Sequence, residues 1–178
     1  LKANPNKYNS AVPGAFSVPH LYVFLFMQRT DTKITPVAYN GGGPALIDLL
    51  SGRTQMIFVN LPTIYQHIKS GKLRAIAVAD LQRSDSLPET PTFEESGFTG
   101  LTASTWNAVL SPKGMPAEIS ARLNREINAI LRSQEVKSYL ANVGARPMTG
   151  TAQQADTFIH DEARKWRKIM VEAGIKME

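Results

Sequence analysis

Cysteine is absent from the 178 residues, which removes disulfides, thiolate nucleophiles and cysteine-based metal sites together. Many exported bacterial proteins also lack cysteine, so the compartment stays open on this ground. Histidine is scarce: His20, His67 and His160 are the three, and none falls in an H-E-x-x-H or similar metal-binding spacing. No G-x-S-x-G elbow frames a serine nucleophile. The glycine turn Gly41-Gly42-Gly43 is followed by Pro44 where a phosphate-binding loop needs lysine. The expectation is therefore no catalytic residue, no metal ligand and no cofactor.

Long apolar runs are missing as well. No stretch reaches the roughly 20 residues a membrane-spanning helix needs, so no membrane insertion is expected. No signal peptide opens the sequence, whose first residue is Leu1. Leu1-Lys-Ala-Asn-Pro5 reads as the frayed end of a helix begun upstream, and the chain is expected to be a fragment or a processed product. Blocks of one charge are also absent: 20 Lys and Arg stand against 15 Asp and Glu, with the basic residues scattered. Their one cluster, Arg164-Lys165-Trp166-Arg167-Lys168, follows Asp161 and Glu162 on the same expected helix. It reads as a solvated helix face in preference to a nucleic-acid surface. The net charge of +5 would still draw in acidic solutes.

What is present is a repeating unit. With 43% hydrophobic residues the chain can bury a core as one domain or two small ones. Tyr8 to Val12 reads as a short strand, and Pro13-Gly14-Ala15-Phe16-Ser17 turns into a helix over Val18 to Arg29. Ile34 to Tyr39 is a second strand, leading through the glycine turn into a helix that stops at Gly52. Met56 to Asn60 is a third, apolar strand; Leu61-Pro62-Thr63 opens a helix reaching Ser70; Leu73 to Ala79 reads as a fourth strand. Strands alternating with helices predict an α/β fold with a parallel sheet, where ligands sit beyond the carboxyl ends of the strands. Arg83 to Thr92 is a polar, proline-bearing surface segment. Leu101 to Leu110 reads as one extended strand, and helices follow over Ala117 to Arg132, Gln134 to Val143 and Ala152 to Ala173, the last stopping at Gly174.

Val37-Ala-Tyr-Asn-Gly-Gly-Gly-Pro-Ala-Leu46 carries the most information. Glycines at this turn let the backbone approach a ligand, Pro44 suits a first helical turn, and the unpaired amides of a helix start attract an anion. A purely structural turn is the other reading of the same pattern.

The order of motifs resembles the tripartite tricarboxylate transporter receptors, also called the Bug family of extracytoplasmic solute-binding proteins. The resemblance runs through Pro5-Asn-Lys-Tyr-Asn9, Gly14, Ser17, His20-Leu21, the Val37–Leu46 stretch, Asn60-Leu-Pro62 and His67-Ile-Lys-Ser-Gly-Lys-Leu-Arg-Ala75. It continues through Arg83-Ser, Leu87-Pro, Pro91-Thr, Glu95-Ser-Gly97, Trp106, Pro112-Lys-Gly114, Leu123-Asn124, Glu126-Ile-Asn128 and Ala173-Gly-Ile-Lys176. It implies a periplasmic-binding-protein-like fold of two α/β lobes that close around a small carboxylate. Residues 1–103 would form most of the second lobe, and 104–178 would supply the crossing strand and the C-terminal helices of a first lobe whose N-terminal part is absent. The implied role is a periplasmic receptor that hands its carboxylate to the membrane subunits of a tripartite transporter, without nucleic acid as a partner. Val12, Pro13 and Phe16, together with Gln55 and Val59, depart from the small, serine-rich or acidic residues usual in the family. These departures imply a ligand unlike the simplest dicarboxylates.

The ligand-binding candidates are Gly14, Ala15, Phe16 and Ser17 at the first turn, Tyr39, Gly41, Gly42 and Gly43 at the second, and Asn60 and Trp106. Ser17 reads equally as a helix cap or a ligand donor. Tyr39 and Asn60 end strands at the ligand edge, or satisfy nearby backbone. Trp106 walls the cleft or belongs to the core. His20 reads as a helix-start or core histidine, since no partner acid lies at a suggestive spacing. A small α/β enzyme acting on an anionic substrate is the alternative function, and an interaction module pairing two copies is a third.

Overall fold

Small residues at the centre of the sheet allow helices to pack closely over it. A computed structural model describes residues 1–172 and 174. Three parallel strands, β1 (Asn9–Val12), β2 (Thr35–Ala38) and β3 (Met56–Ile57), lie in the order β2-β1-β3. Asn9 pairs with Thr35 and Val12 with Ala38, while Ser10 pairs with Met56. Ser10, Ala11 and Val12 are wholly buried, as expected for a central parallel strand. At the amino end of the sheet the Gln55 backbone N–H donates to Asn9 O at 3.0 Å, and the Asn9 N–H donates to Gln55 Oε1 at 3.0 Å. Gln55 thus extends the β1–β3 pairing, at the end opposite the helix starts.

Each strand runs into a helix: α1 (Val18–Thr30), α2 (Gly42–Leu50) and α3 (Leu61–Lys69). Proline stands in the first helical turn of α1 and α3, where its missing N–H would have had no intrahelical partner. The sequence places these three units within a residue or two, except that β3 ends at Ile57 and not at the expected Asn60, where the α3 cap begins. It errs on two strands. Leu73 to Ala79 forms no ladder: Val78 makes a single parallel bridge to Thr92, with Val78 N–H donating to Pro91 O and Phe93 N–H to Val78 O. Leu101 to Leu110 forms no ladder either. Leu101 is buried and its carbonyl accepts from the Tyr22 hydroxyl at 2.6 Å, and the Ala103 N–H donates to Ala79 O at 2.9 Å. Beyond that point Val109 and Leu110 are more than three-quarters exposed. Both segments carry strand-like composition, but a strand needs a neighbour in register, which composition does not specify.

Three further helices complete the described chain: α4 (Ala117–Arg132), α5 (Gln134–Asn142) and α6 (Ala152–Glu172). Ala173, the expected last residue of α6, lies outside the described residues. The core joins α6 to α1: Leu21, Tyr22 and Leu25 meet Leu101, Trp166, Ile169 and Met170. Phe58 packs against both Tyr22 and Phe26, with ring centroids 5.2 Å away in each case. Burial raises the Tyr22 phenol well above its ordinary pKa. The start of α6 is pinned by α4, where buried Asn128 donates through Nδ2 to Gly150 O at 2.8 Å and accepts at Oδ1 from Gly150 N–H at 2.9 Å. Thr151 and Gln154 then form a reciprocal capping box. The spacing of Ile119, Leu123, Ile127 and Leu131 predicts one apolar stripe along α4, yet Ile119 and Leu123 are exposed.

Candidate functional site

All three strand-to-helix bends fall at the carboxyl edge of the sheet, and residues from each line one cleft of ≈ 590 Å³. Ser17, Val18 and Pro19 come from the start of α1, Gly42 from α2, and Asn60 and Thr63 from α3. First-turn amides such as those of Val18 and Gly42 have no intrahelical acceptor. With the aligned helix dipoles they form a positive, uncharged floor suited to a carboxylate or phosphate. The rest of the lining comes mainly from later in the chain. Thr105 and Trp106 line the cleft together with Ile159, Glu162, Ala163 and Trp166 of α6, and Trp106 stacks edge-on against Phe158 with centroids 5.6 Å apart.

Ser17, Gly42, Asn60 and Trp106 are thus brought together from the sequence candidates. Ser17 occupies the helix-cap position of α1 without making a cap bond; its hydroxyl donates to Gly14 O at 2.7 Å. Gly14, Ala15 and Phe16 form the adjoining turn and do not line the cleft. Phe16 is 62% exposed and takes a left-handed φ of 58°. Its N–H donates to His20 Nδ1 at 3.0 Å, which fixes His20 as a neutral acceptor at the helix start. Burial lowers the His20 pKa, in keeping with that form.

Tyr39, Gly41 and Gly43 also stand outside the lining. The Tyr39 hydroxyl donates to Asp48 Oδ2 at 2.8 Å, and Arg53 donates to Asp48 Oδ1 at 3.0 Å. The hydrogen bond with Asp48 holds Tyr39 above the ordinary phenol range, and the same bond holds Asp48 below the ordinary carboxylate range. Tyr39 therefore ties the end of β2 to α2. Gly41 caps α2 with φ 105° and ψ 176°, a region essentially restricted to glycine. Gly41→Ala is expected to cost about 1–3 kcal/mol and to displace the α2 start, read as a lower chemical-denaturation midpoint. An unchanged midpoint would show that the turn relaxes freely.

Sequence reasoning missed Thr63, Ile159, Glu162 and Trp166. It read Arg164 to Lys168 as a solvated face, but Trp166 is 8% exposed within that run and belongs to the core. Its indole Nε1–H donates to Glu162 Oε2 at 3.0 Å. The available signal was the i, i+4 spacing of Glu162 and Trp166, which places both on one helix face. Of the departures from the family pattern, Val59 lines the cleft, whereas Gln55 serves the far end of the sheet.

A parallel α/β layer with helix starts gathered over one cleft is the architecture of a periplasmic-binding-protein lobe. The chain belongs to the family described as the tripartite tricarboxylate transporter family receptor, which it matches over residues 1–175. It is 39% identical over 177 residues to Protein BugT of Bordetella pertussis, covering 99% of this chain and 54% of that protein. A solved R. palustris protein with adipate superposes with a TM-score of 0.90 at 32% identity, over 97% of this chain and 58% of its own. A second, described as a periplasmic transporter, gives a TM-score of 0.91 at 33% identity, over 100% of this chain and 59% of its own. The chain spans about half the length of the curated relatives it matches. Among the described residues no helix is long and apolar enough to cross a membrane.

Proposed function

We propose that this chain is the ligand-holding part of a periplasmic solute-binding receptor that captures a small carboxylate and delivers it to the membrane subunits of a tripartite transporter. The observation that carries the reading is the convergence of three helix starts on one cleft walled by Trp106 and α6. Amide donors and helix dipoles hold an anion there without a formal cation, which keeps release possible when the protein meets its transporter. Ser17, Gly42, Asn60 and Trp106 contact the ligand in this reading. Gly14, Ala15, Phe16, Gly41 and Gly43 shape the two turns, and Tyr39 braces the second. Residues 1–103 act as one lobe, residues from 104 onward lead to the other, and α6 ties the two along α1. The protein binds and releases its solute unchanged and performs no catalysis.

The test is a ligand panel on the intact protein. Mono-, di- and tricarboxylates are titrated while the thermal midpoint is followed, since a ligand that binds only the folded state raises it with concentration. At least one carboxylate is expected to give a saturable rise that its uncharged amide does not. If no carboxylate shifts the midpoint, the receptor reading fails.

A further inference from the structure

The turn that feeds α1 is held from inside the helix. Val18, Pro19 and His20 open α1, and Ser17 stands at its cap position without making a side-chain cap bond. The Ser17 hydroxyl turns back to Gly14 O at 2.7 Å. The bond that reaches back over the helix start comes instead from His20, whose Nδ1 accepts the Phe16 N–H at 3.0 Å. This is the reach-back half of a capping box, made with an imidazole and to a residue one place further upstream. It closes a turn that is unfavourable by itself, because Phe16 sits at φ 58°, a left-handed conformation that a residue with a Cβ resists. The Phe16 and Phe24 rings flank the imidazole, with centroids 6.1 and 5.1 Å away.

Nδ1 is an acceptor only in the neutral ring, since the imidazolium carries a proton on both nitrogens. Protonation would set N–H against N–H at Phe16 and leave the left-handed turn without its clasp. Among the described residues no charged side chain bonds to the His20 ring from the turn, from α1 or from any element beside it, and burial alone lowers its pKa. The bond is therefore fully present above the ordinary histidine pKa of 6.5 and is lost as pH falls through the lowered value. Pro13, Ser17, Val18 and Pro19, on either side of the clasp, line the cleft, whereas His20 does not. A cation close to the site would by itself tighten an anion as pH falls; loss of the turn has the opposite sign. Resting on the receptor reading above, we propose that His20 is a positioning residue for the ligand, whose neutral imidazole holds the Phe16–Ser17 turn in the binding shape, so that carboxylate affinity falls on acidification.

Calorimetry on the intact protein at about pH 7.5 and about pH 5, on either side of the histidine range, reads that sign with benzoate, succinate, adipate and citrate as probes. For the tightest of the four, the dissociation constant is expected to rise at the lower pH by about threefold or more beyond the rise seen in His20→Asn. In that variant the amide Oδ1 stands the same number of bonds from the backbone as Nδ1, accepts a hydrogen bond and does not titrate. It therefore retains binding at the higher pH and records what the ligand's own protonation contributes. His20→Phe keeps a ring and removes the acceptor, and is expected to bind about fivefold more weakly at the higher pH. Equal pH dependence in the unsubstituted protein and His20→Asn, or tighter binding by the unsubstituted protein at the lower pH, would overturn the inference and leave the receptor reading standing. Undiminished binding by His20→Phe would overturn it too. Silence from all four acids would overturn the receptor reading itself. The comparison with His20→Asn holds even if His20→Phe folds poorly.

Discussion

Trp166→Ala is expected to lower unfolding stability by about 3–5 kcal/mol, the range for removing a large aromatic from a packed interior. Trp166 is nearly buried and shares the core with Leu21, Tyr22, Leu25 and Leu101. The same residue forms one wall of the cleft, so the substitution opens the site while it loosens α6 from α1. Its hydrogen bond matters separately. Trp166→Phe retains most of the apolar contact but leaves Glu162 Oε2 without the indole donor, and is expected to cost about 1–3 kcal/mol. Denaturant unfolding of both variants reads the difference. A loss below about 1 kcal/mol for Trp166→Ala would show that α6 is held mainly by other contacts, and the account of the core given above would be wrong.

Gly144→Ala is the second substitution with a large expected effect. Gly144 follows α5 with φ 74°, its N–H donating to Ala141 O and the Ala145 N–H to Leu140 O, the hydrogen-bond pair of a Schellman stop. A methyl group there meets the left-handed penalty of about 1–2 kcal/mol. It also falls 2.7 Å from Leu61 Cγ, a distance that forces the neighbour to move. Overpacking of this kind adds about 1–3 kcal/mol. The two causes separate in a double substitution: Gly144→Ala with Leu61→Ala removes the clash and keeps the backbone penalty, so it should recover part of the loss relative to Leu61→Ala alone. Leu61 begins α3 directly after Asn60, and displacement of that helix start should also weaken carboxylate binding by the intact protein. Full retention of both stability and binding would mean that the α5 turn and α3 are not in the contact described.

Four of the fourteen residues that line the cleft were legible before any coordinates. Ser17, Gly42 and Asn60 stand where local rules put them, at the first turns of helices that follow apolar strands, and proline or glycine marks each bend. Trp106 was legible only through its place in the family pattern. Tyr39 stands outside the cleft lining, and its sequence position at a strand end says nothing about Asp48, which takes its hydroxyl. Leu73 to Ala79 and Leu101 to Leu110 were misread because β composition records a preference for extended backbone and is silent about a neighbouring strand in register. Trp166 and Glu162 were missed because the charges around them dominate the local pattern, while their burial depends on α1, far away in the chain.

By itself the sequence determined the three strand-to-helix units, the absence of thiol chemistry and the glycine and proline bends between strand and helix. These follow from backbone rules that act within a few residues: glycine at positive φ, proline in a first helical turn, apolar runs between polar bends. Only the tertiary structure decided that three helix starts share one cleft and that α6 adds the Trp166 indole and the paired Glu162 carboxylate to its lining. Such facts depend on contacts between residues more than a hundred positions apart, and chain order alone leaves those distances free.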